Sequence, residues 1–413
     1  MSLSQIDPKI AAIIENEEQR QGHNINLIAS ENYTSKAVLQ AQASVFTNKY
    51  AEGYPGKRYY GGCQNADELE AIAIERAQEV FEAEHVNVQP YSGSVANMAA
   101  YMTLIDYNDT ILSMKLDQGG HLTHGSPVSF SGKLYRPVYY CIDKQTGLLD
   151  YDEVEKIATQ SMPKLIVTGS SSYPRILDYE RFRHIADKVN AKLLVDMAHE
   201  AGLIAAKVHP SPIPFADIAT CTTHKSLRGP RGGLILCRQE YRASIDSSVF
   251  PGLQGGPLIH TIAAKAVAFL EASQPEFITY QKAVLENARV FAEELILNGL
   301  TLITGGTDNH RMLIDLTKTD VTGKMAEDAL CQVNITVNKN SIPFDPKPAN
   351  VTSGIRLGTP AVTSRGFGPD EMRKTAHLIA RVLSNVGDEK VYQEVRDEVA
   401  HINSRFPTPG ITG

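Results

Sequence analysis

The amino-acid sequence predicts an α/β protein, with a large domain on a mostly parallel sheet and a smaller C-terminal α/β domain. Three observations carry this. Short β-rich runs alternate with helical patterns through the middle of the chain. The 413 residues exceed the roughly 250–300 at which a single core stops growing. From about Tyr280 onward the pattern changes to long helical runs.

Taken in order, the polar, weakly amphipathic stretch Ile10–Gln21 predicts a helical N-terminal arm over 1–24. His85–Gln89 (HVNVQ) predicts a strand, followed by Ser-Gly-Ser and a helix over Val95–Leu104. Lys164–Thr168 (KLIVT), a helix Tyr179–Asn190 and Lys192–Asp196 (KLLVD) form a strand–helix–strand unit. Ile218–Thr222 adds a further β-rich run, and the helix Leu258–Ala272 closes a large domain over 25–275. Within 276–413 the expected elements are a helix Gln281–Asn298, a strand Met312–Leu316, a helix Gly323–Val333 and a strand Ile335–Asn338. There is no internal repeat and no low-complexity segment.

The composition, 42% hydrophobic and 21% charged, is that of an ordinary folded cytoplasmic protein. A net charge of -7 offers no basic stripe for a nucleic acid. Cys63, Cys141, Cys221, Cys237 and Cys331 are dispersed without CxxC pairing, which predicts reduced thiols. Met1–Asp7 lacks the basic-then-apolar pattern of a signal peptide, and no apolar run is long enough to span a bilayer.

The strongest chemical signal is Thr222–Gly233 (TTHKSLRGPRGG), where Lys225 stands between a β-rich run and a Gly/Pro turn, hemmed by His224, Arg228 and Arg231. Neighbouring cations favour a free amine able to form a Schiff base, although most lysines on basic loops are simply solvated. Asp196 ends the strand KLLVD, at the carboxyl edge where α/β sheets bind ligands, 29 residues before Lys225. A pyridoxal ring needs such a carboxylate at its pyridine nitrogen; the plainer alternative is an Asp capping the next turn. Ser92-Gly93-Ser94 suits a phosphate cradle at a helix N-terminus, or equally a plain N-cap, and Gly252–Pro257 (GLQGGP) is a second glycine-rich loop able to complete it.

Tyr50–Gly62 (YAEGYPGKRYYGG) is too polar for core and too patterned for a linker. Within it, Glu52 suits general acid–base work if partly buried, and is otherwise a solvated charge. His121 and His124 lie three apart with no acidic ligand nearby in sequence, so no metal is expected and stacking on an aromatic cofactor fits better. Arg356, in Thr352–Arg356 (TSGIR), offers a planar fork for a substrate carboxylate.

Seven segments resemble the serine hydroxymethyltransferase family in its order: INLIASENY, NKYAEGYPGKRYYGGC, QGGHLTHGSPVSFSGKLY, VDMAHEAGL, TTHKSLRGPRGG, FPGLQGGP and TSGIRLGTPAVTSRGFG. The resemblance implies the pyridoxal-phosphate fold type I, similar to aspartate aminotransferase, and transfer of a one-carbon unit between serine and tetrahydrofolate. It implies that Lys225 is the Schiff-base lysine, Asp196 the pyridinium partner and His121 the ring-stacking histidine, with Ser171, His199 and His224 also at the pyridoxal 5'-phosphate. Ser92, Gly93 and Ser94 would hold the phosphate, completed by Gly255 and Gly256 of a neighbouring subunit. Ser30, Tyr60 and Arg356 would bind the amino acid. Glu52 would move a proton between serine and folate, with Tyr50 and Tyr60 reaching across a homodimer interface. Leu116, Gly120, Leu122 and Asn340 match folate positions.

The chain departs from the family pattern at Gln64, Tyr91, Val95, Glu200, Arg311, Phe344 and Asn350. None of these is Lys225, Asp196, His121 or Arg356. The departures near the acceptor leave room for a relative on the same scaffold: an α-methylserine hydroxymethyltransferase, a β-hydroxy-amino-acid aldolase or a transaldolase.

Overall fold

In the computed structural model, which describes residues 2–411, the run KLLVD becomes an inner strand of a seven-stranded sheet. Its strands, in chain order, are β1 (His85–Asn87), β2 (Thr110–Met114), β3 (Arg136–Tyr140), β4 (Leu165–Thr168), β5 (Lys192–Asp196), β6 (Ile218–Thr222) and β7 (Gly233–Cys237). They lie in the order β1-β7-β6-β5-β4-β2-β3. β7 runs antiparallel to both β1 and β6, and the other pairings are parallel.

Burial on both faces explains the near-continuous apolar strands. Along β5, Leu193 and Val195 enter one core cluster while Leu194 enters another, because side chains alternate across a strand. The helices of this unit include α1 (Gln64–Phe81), α2 (Gly93–Leu104), α3 (Tyr179–Lys188) and α4 (Ile259–Ala272), of which α2 and α3 connect strands of the sheet. Each begins or ends within a few residues of its sequence-based expectation where one was made. α2 starts two residues early because Ser92 is its N-cap, its hydroxyl accepting from the Val95 amide at 3.3 Å.

The chain divides into two compact units. One comprises Ala37–Lys282 with Ile342–Phe344, and holds the seven-stranded sheet. The other comprises the chain up to Lys36, Ala283–Ser341 and the chain from Asp345. It holds an antiparallel sheet of β8 (Thr301–Leu302), β9 (Arg311–Asp315), β10 (Asn338–Asn340) and β11 (Gly354–Gly358), in the order β8-β9-β11-β10.

Two features of this second unit differ from the sequence expectation. Residues 25–36 group with the C-terminal part, because Ile25–Asn26 pairs in parallel with Ile335–Thr336 and the Gly358 amide donates to the Leu27 carbonyl at 2.8 Å. The expected strand Ile335–Asn338 is two short strands with different partners, the second beginning β10. No helix among the described residues is long and apolar enough to cross a membrane.

Candidate active site

Asp196 ends β5 with its carboxylate nine-tenths buried. Oδ2 accepts from Asn97 Nδ2 at 2.9 Å and from His124 Nε2 at 3.0 Å, and Oδ1 accepts from the Ala198 amide at 3.1 Å. The last contact is the turn-capping role, held together with the others. Burial raises the carboxyl's pKa, but the His124 hydrogen bond and the charges of His124, His121 and Lys225 outweigh it. The net result lies well below the usual carboxylate value of 3.8. Asp196 is therefore a fixed anion at any ordinary pH.

Behind it runs a polar chain through an otherwise apolar helix. The Asn97 amide nitrogen also donates to Thr123 Oγ1 at 2.8 Å, and its oxygen accepts from Thr220 Oγ1 at 2.5 Å. Thr123 in turn meets His121 Nδ1 through its hydroxyl at 2.7 Å and its amide at 3.2 Å. An acceptor role at Nδ1 leaves the neutral imidazole's proton on Nε2 and fixes the ring. Sequence reasoning missed Asn97, Thr123 and Thr220; a lone amide amid SVANMAAYM was the available signal.

The fold also supplies the acid that the two histidines lacked in sequence. Ligand atoms of His121, His124 and Asp196 lie within 4.8 Å of one another, near enough to consider a metal. His124 Nε2 and His121 Nδ1 are already engaged with Asp196 and Thr123.

Lys225 follows β6 on a turn held at several points. The Ser226 hydroxyl donates to the His199 carbonyl at 2.5 Å and accepts from the Gly202 amide at 2.9 Å. Gln281 Nε2 donates to the Ser226 carbonyl at 2.7 Å, and Arg228 takes the left-handed conformation (φ 62°) that turns the chain. The Arg228 guanidinium lies 4.8 Å over the Tyr280 ring. Next to Lys225, His224 is pushed down to about 3 by burial and by the charges of Arg231, Lys225 and Lys265, so it is neutral at working pH. His224 Nδ1 is buried with no hydrogen-bond partner.

At the candidate cradle, Ser92 and Gly93 are half-buried and Ser94 is exposed at the N-terminus of α2. A Cβ on Gly93 would meet Thr222 Cγ2 at 2.7 Å, so the backbone sits close against β6. An anion held by backbone amides at a helix N-terminus, and a carboxylate fixed as an anion for a protonated ring nitrogen, are what a phosphorylated pyridinium requires. The residues present fit such a group.

The 50–60 loop and the Gly255-Gly256 loop form a second cluster. A Cβ on Gly255 would lie 3.1 Å from Glu52 Oε1, and one on Gly256 would lie 3.2 Å from the Tyr50 ring. The Tyr50 and Tyr60 rings are 5.0 Å apart, and both side chains are about half exposed in the single chain. The Glu52 charge and its hydrogen bond hold the Tyr50 phenol above its ordinary value. Gly120 is buried beside exposed Leu116 and Leu122, and the Ser171 amide donates to the Gly119 carbonyl at 2.8 Å.

In the second unit, Arg356 on β11 donates through Nε to Asn338 Oδ1 at 3.3 Å. Burial first, then the Arg311 charge, pulls its pKa down to about 10, leaving it charged. Gly358, at the end of the same strand, leaves no room for a Cβ against Ala29, the neighbour of Ser30. Asn340 ends β10 and donates to the Ser341 carbonyl at 2.7 Å.

A family model described as serine hydroxymethyltransferase matches residues 3–379. The serine hydroxymethyltransferase of Dehalococcoides mccartyi strain CBDB1 is 58% identical over 406 residues, covering 98% of both chains. That of strain 195 is 57% identical with the same coverage. The chain belongs to the serine hydroxymethyltransferase family.

Within that family, several of the departures now have a place. The Tyr91 hydroxyl donates to the Gly256 carbonyl at 2.6 Å, and its amide to Gln254 Oε1 at 2.9 Å, so it braces the glycine loop. Glu200 is buried at the start of a short helix, Ala201–Ala205. Arg311 is buried on β9, where Leu313 rather than Arg311 is the direct partner of Arg356. Phe344 lies under the Lys144 ammonium at 5.6 Å, Gln64 opens α1, Val95 lies in the first turn of α2, and Asn350 is exposed. Nothing in the structure explains the choice of Asn at 350.

Proposed function

We propose that this chain is a pyridoxal-phosphate-dependent, fold type I enzyme that interconverts serine and glycine, with tetrahydrofolate as the one-carbon acceptor. It would work in the cytoplasm as a homodimer whose two subunits share each site. The observation that carries the cofactor reading is Asp196, a buried carboxylate kept ionised at the sheet's carboxyl edge by Asn97 and His124.

When bound, pyridoxal phosphate supplies an electron sink for the pair left on Cα. In this reading Lys225 Nζ would be the amine that holds the cofactor. The Asp196 carboxylate would pair with a protonated ring nitrogen. His121, fixed by Thr123, would lie against the ring, and Ser92, Gly93 and Ser94 would bind the phosphate with Gly255 and Gly256 of the other subunit. Ser171, His199 and neutral His224 complete the cofactor pocket.

Arg356 and Ser30 bind the substrate carboxylate, orienting Cα–Cβ for cleavage. As that bond breaks, the electron pair stays on Cα, the serine hydroxyl proton passes to Glu52, and the carbon leaves at the oxidation level of formaldehyde. A proton then returned to Cα gives glycine. Tyr50 and Tyr60 line the substrate side, while Leu116, Gly120, Leu122 and Asn340 bind the folate.

The expected result is a visible absorbance band on addition of pyridoxal phosphate, absent in Lys225→Ala, and serine cleavage stimulated by tetrahydrofolate. A colourless protein in the presence of the cofactor would defeat the reading. Serine cleavage equally fast without folate would favour an aldolase.

A further inference from the structure

Outside the residues given roles above, one side chain stands apart chemically. Lys265, on α4, is 1% exposed, yet it carries an ammonium. We infer that Lys265 is a positioning residue, a buried ammonium beneath the phosphate cradle that makes this site selective for the phosphorylated over the unphosphorylated cofactor. The inference rests on the pyridoxal-phosphate reading and deepens it.

The first argument is valence. Lys265 Nζ donates to the carbonyls of Val88 at 2.6 Å, Gly233 at 2.7 Å and Pro90 at 3.1 Å. An ammonium has three N–H groups and a neutral amine has two, so only the charged form satisfies all three acceptors.

The second argument is location. Val88 and Pro90 belong to the segment that leads from β1 into Ser92-Gly93-Ser94. Gly233 opens β7, where a Cβ would lie 2.3 Å from the Ser92 carbonyl oxygen. The preceding residue, Gly232, accepts from the Thr223 amide at 3.1 Å, two residues before Lys225. A Cβ on Gly232 would lie 2.5 Å from Lys265 Cε, so the stem packs directly against this glycine. One ammonium thus ties down the backbone from which both the cradle and the Lys225 turn emerge.

The third argument is charge balance. All three acceptors are neutral carbonyls. The one carboxylate whose charge reaches it, Glu70, is already paired with Arg58 at 2.5 Å. Burial pulls the Lys265 ammonium down to about 7, and its own field lowers neighbouring His224. Burying a cation without a carboxylate partner is unfavourable, and a dianionic phosphate on the cradle would offset that.

The test uses the full-length chain stripped of cofactor, titrated separately with pyridoxal phosphate and with pyridoxal, in wild type, Lys265→Gln and Lys265→Arg. The readout is the ratio of the two dissociation constants. In Lys265→Gln the affinity for pyridoxal phosphate should fall about tenfold, near 1.4 kcal/mol, and that for pyridoxal less than about twofold. Lys265→Arg, which keeps the charge, should hold the wild-type ratio within about threefold. Equal losses for both ligands in Lys265→Gln would mean a merely structural lysine and would overturn the inference, as would an unchanged ratio. Should Lys265→Gln not fold, Lys265→Arg decides: a folded variant that has lost the ratio sinks the idea, and one that keeps it supports it. If wild type takes up neither ligand, the cofactor reading itself fails and this inference falls with it.

Discussion

A carboxylate 9% exposed would ordinarily take up a proton to escape the cost of burial, yet Asp196 stays ionised because three donors converge on it. The sign of its pH dependence follows. With its native pKa below the unfolded value of 3.8, Asp196 contributes stability that is fully present above about pH 4 and lost only as pH falls through the lower native value. Removing one donor should shift this. Asn97→Ala leaves Oδ2 with His124 alone, and serine cleavage should fall by about ten- to a hundredfold. The acid limb of the bound-cofactor absorbance titration should move to higher pH. An unmoved limb in a folded variant would show that Asn97 does not set the Asp196 charge. His224 behaves similarly as a base. Its native value of about 3 against an ordinary 6.5 predicts stability lost between pH 6.5 and 3, and urea titrations of His224→Gln should show a smaller loss over that interval.

At the level of elements, the loop carrying Glu52 owes its shape to a buried ion pair with α1. Arg58 Nη1 donates to the Ala51 carbonyl at 2.9 Å and to the Gly53 carbonyl at 2.7 Å, gripping the backbone on both sides of Glu52. Arg58 Nη2 and Nε reach Glu70 and Asp67 on α1, and Gln89 bridges Glu70 to the Gly53 carbonyl. Arg58 and Glu70 side chains are 3% and 1% exposed, so removing one partner strands a buried charge. Glu70→Ala should cost about 3–5 kcal/mol by equilibrium denaturation, and a loss below about 1 kcal/mol would refute the pair's structural role. None of this was visible in the loop's own sequence, which marks a polar, glycine-rich segment but not what pins it. The helices were more legible. Tyr179–Lys188 and Gly323–Gln332 fall close to their expected spans, because amphipathic periodicity and caps such as Asp178 and Thr322 are local.

For the whole molecule, Tyr50 and Tyr60 are half-exposed beside Glu52 on the single chain. If each site takes Lys225 from one subunit and Glu52 from the other, inactive Lys225→Ala and Glu52→Ala chains should complement. Mixed dimers from an equal, randomly reassorted mixture would regain one intact site each, about a quarter of wild-type activity overall. No recovery after subunit exchange, verified by analytical ultracentrifugation of tagged chains, would place both residues in one subunit's site.

Alternating β-rich and helical runs, the strand end at Asp196, the lysine turn and the glycine loops were all legible in the sequence. Each is written in a window of a dozen residues, where periodicity, caps and turn chemistry act. Tertiary structure alone decided which charges meet. His124 reaches Asp196 across 72 residues and Asn97 across 99, while Lys265 closes on Val88 across 177. The same holds for residues 25–36, grouped with the C-terminal unit by pairing with Ile335–Thr336. Strand order and crossover connections set those meetings, and a side chain's ionisation depends on the partners and burial they bring, which no local window contains.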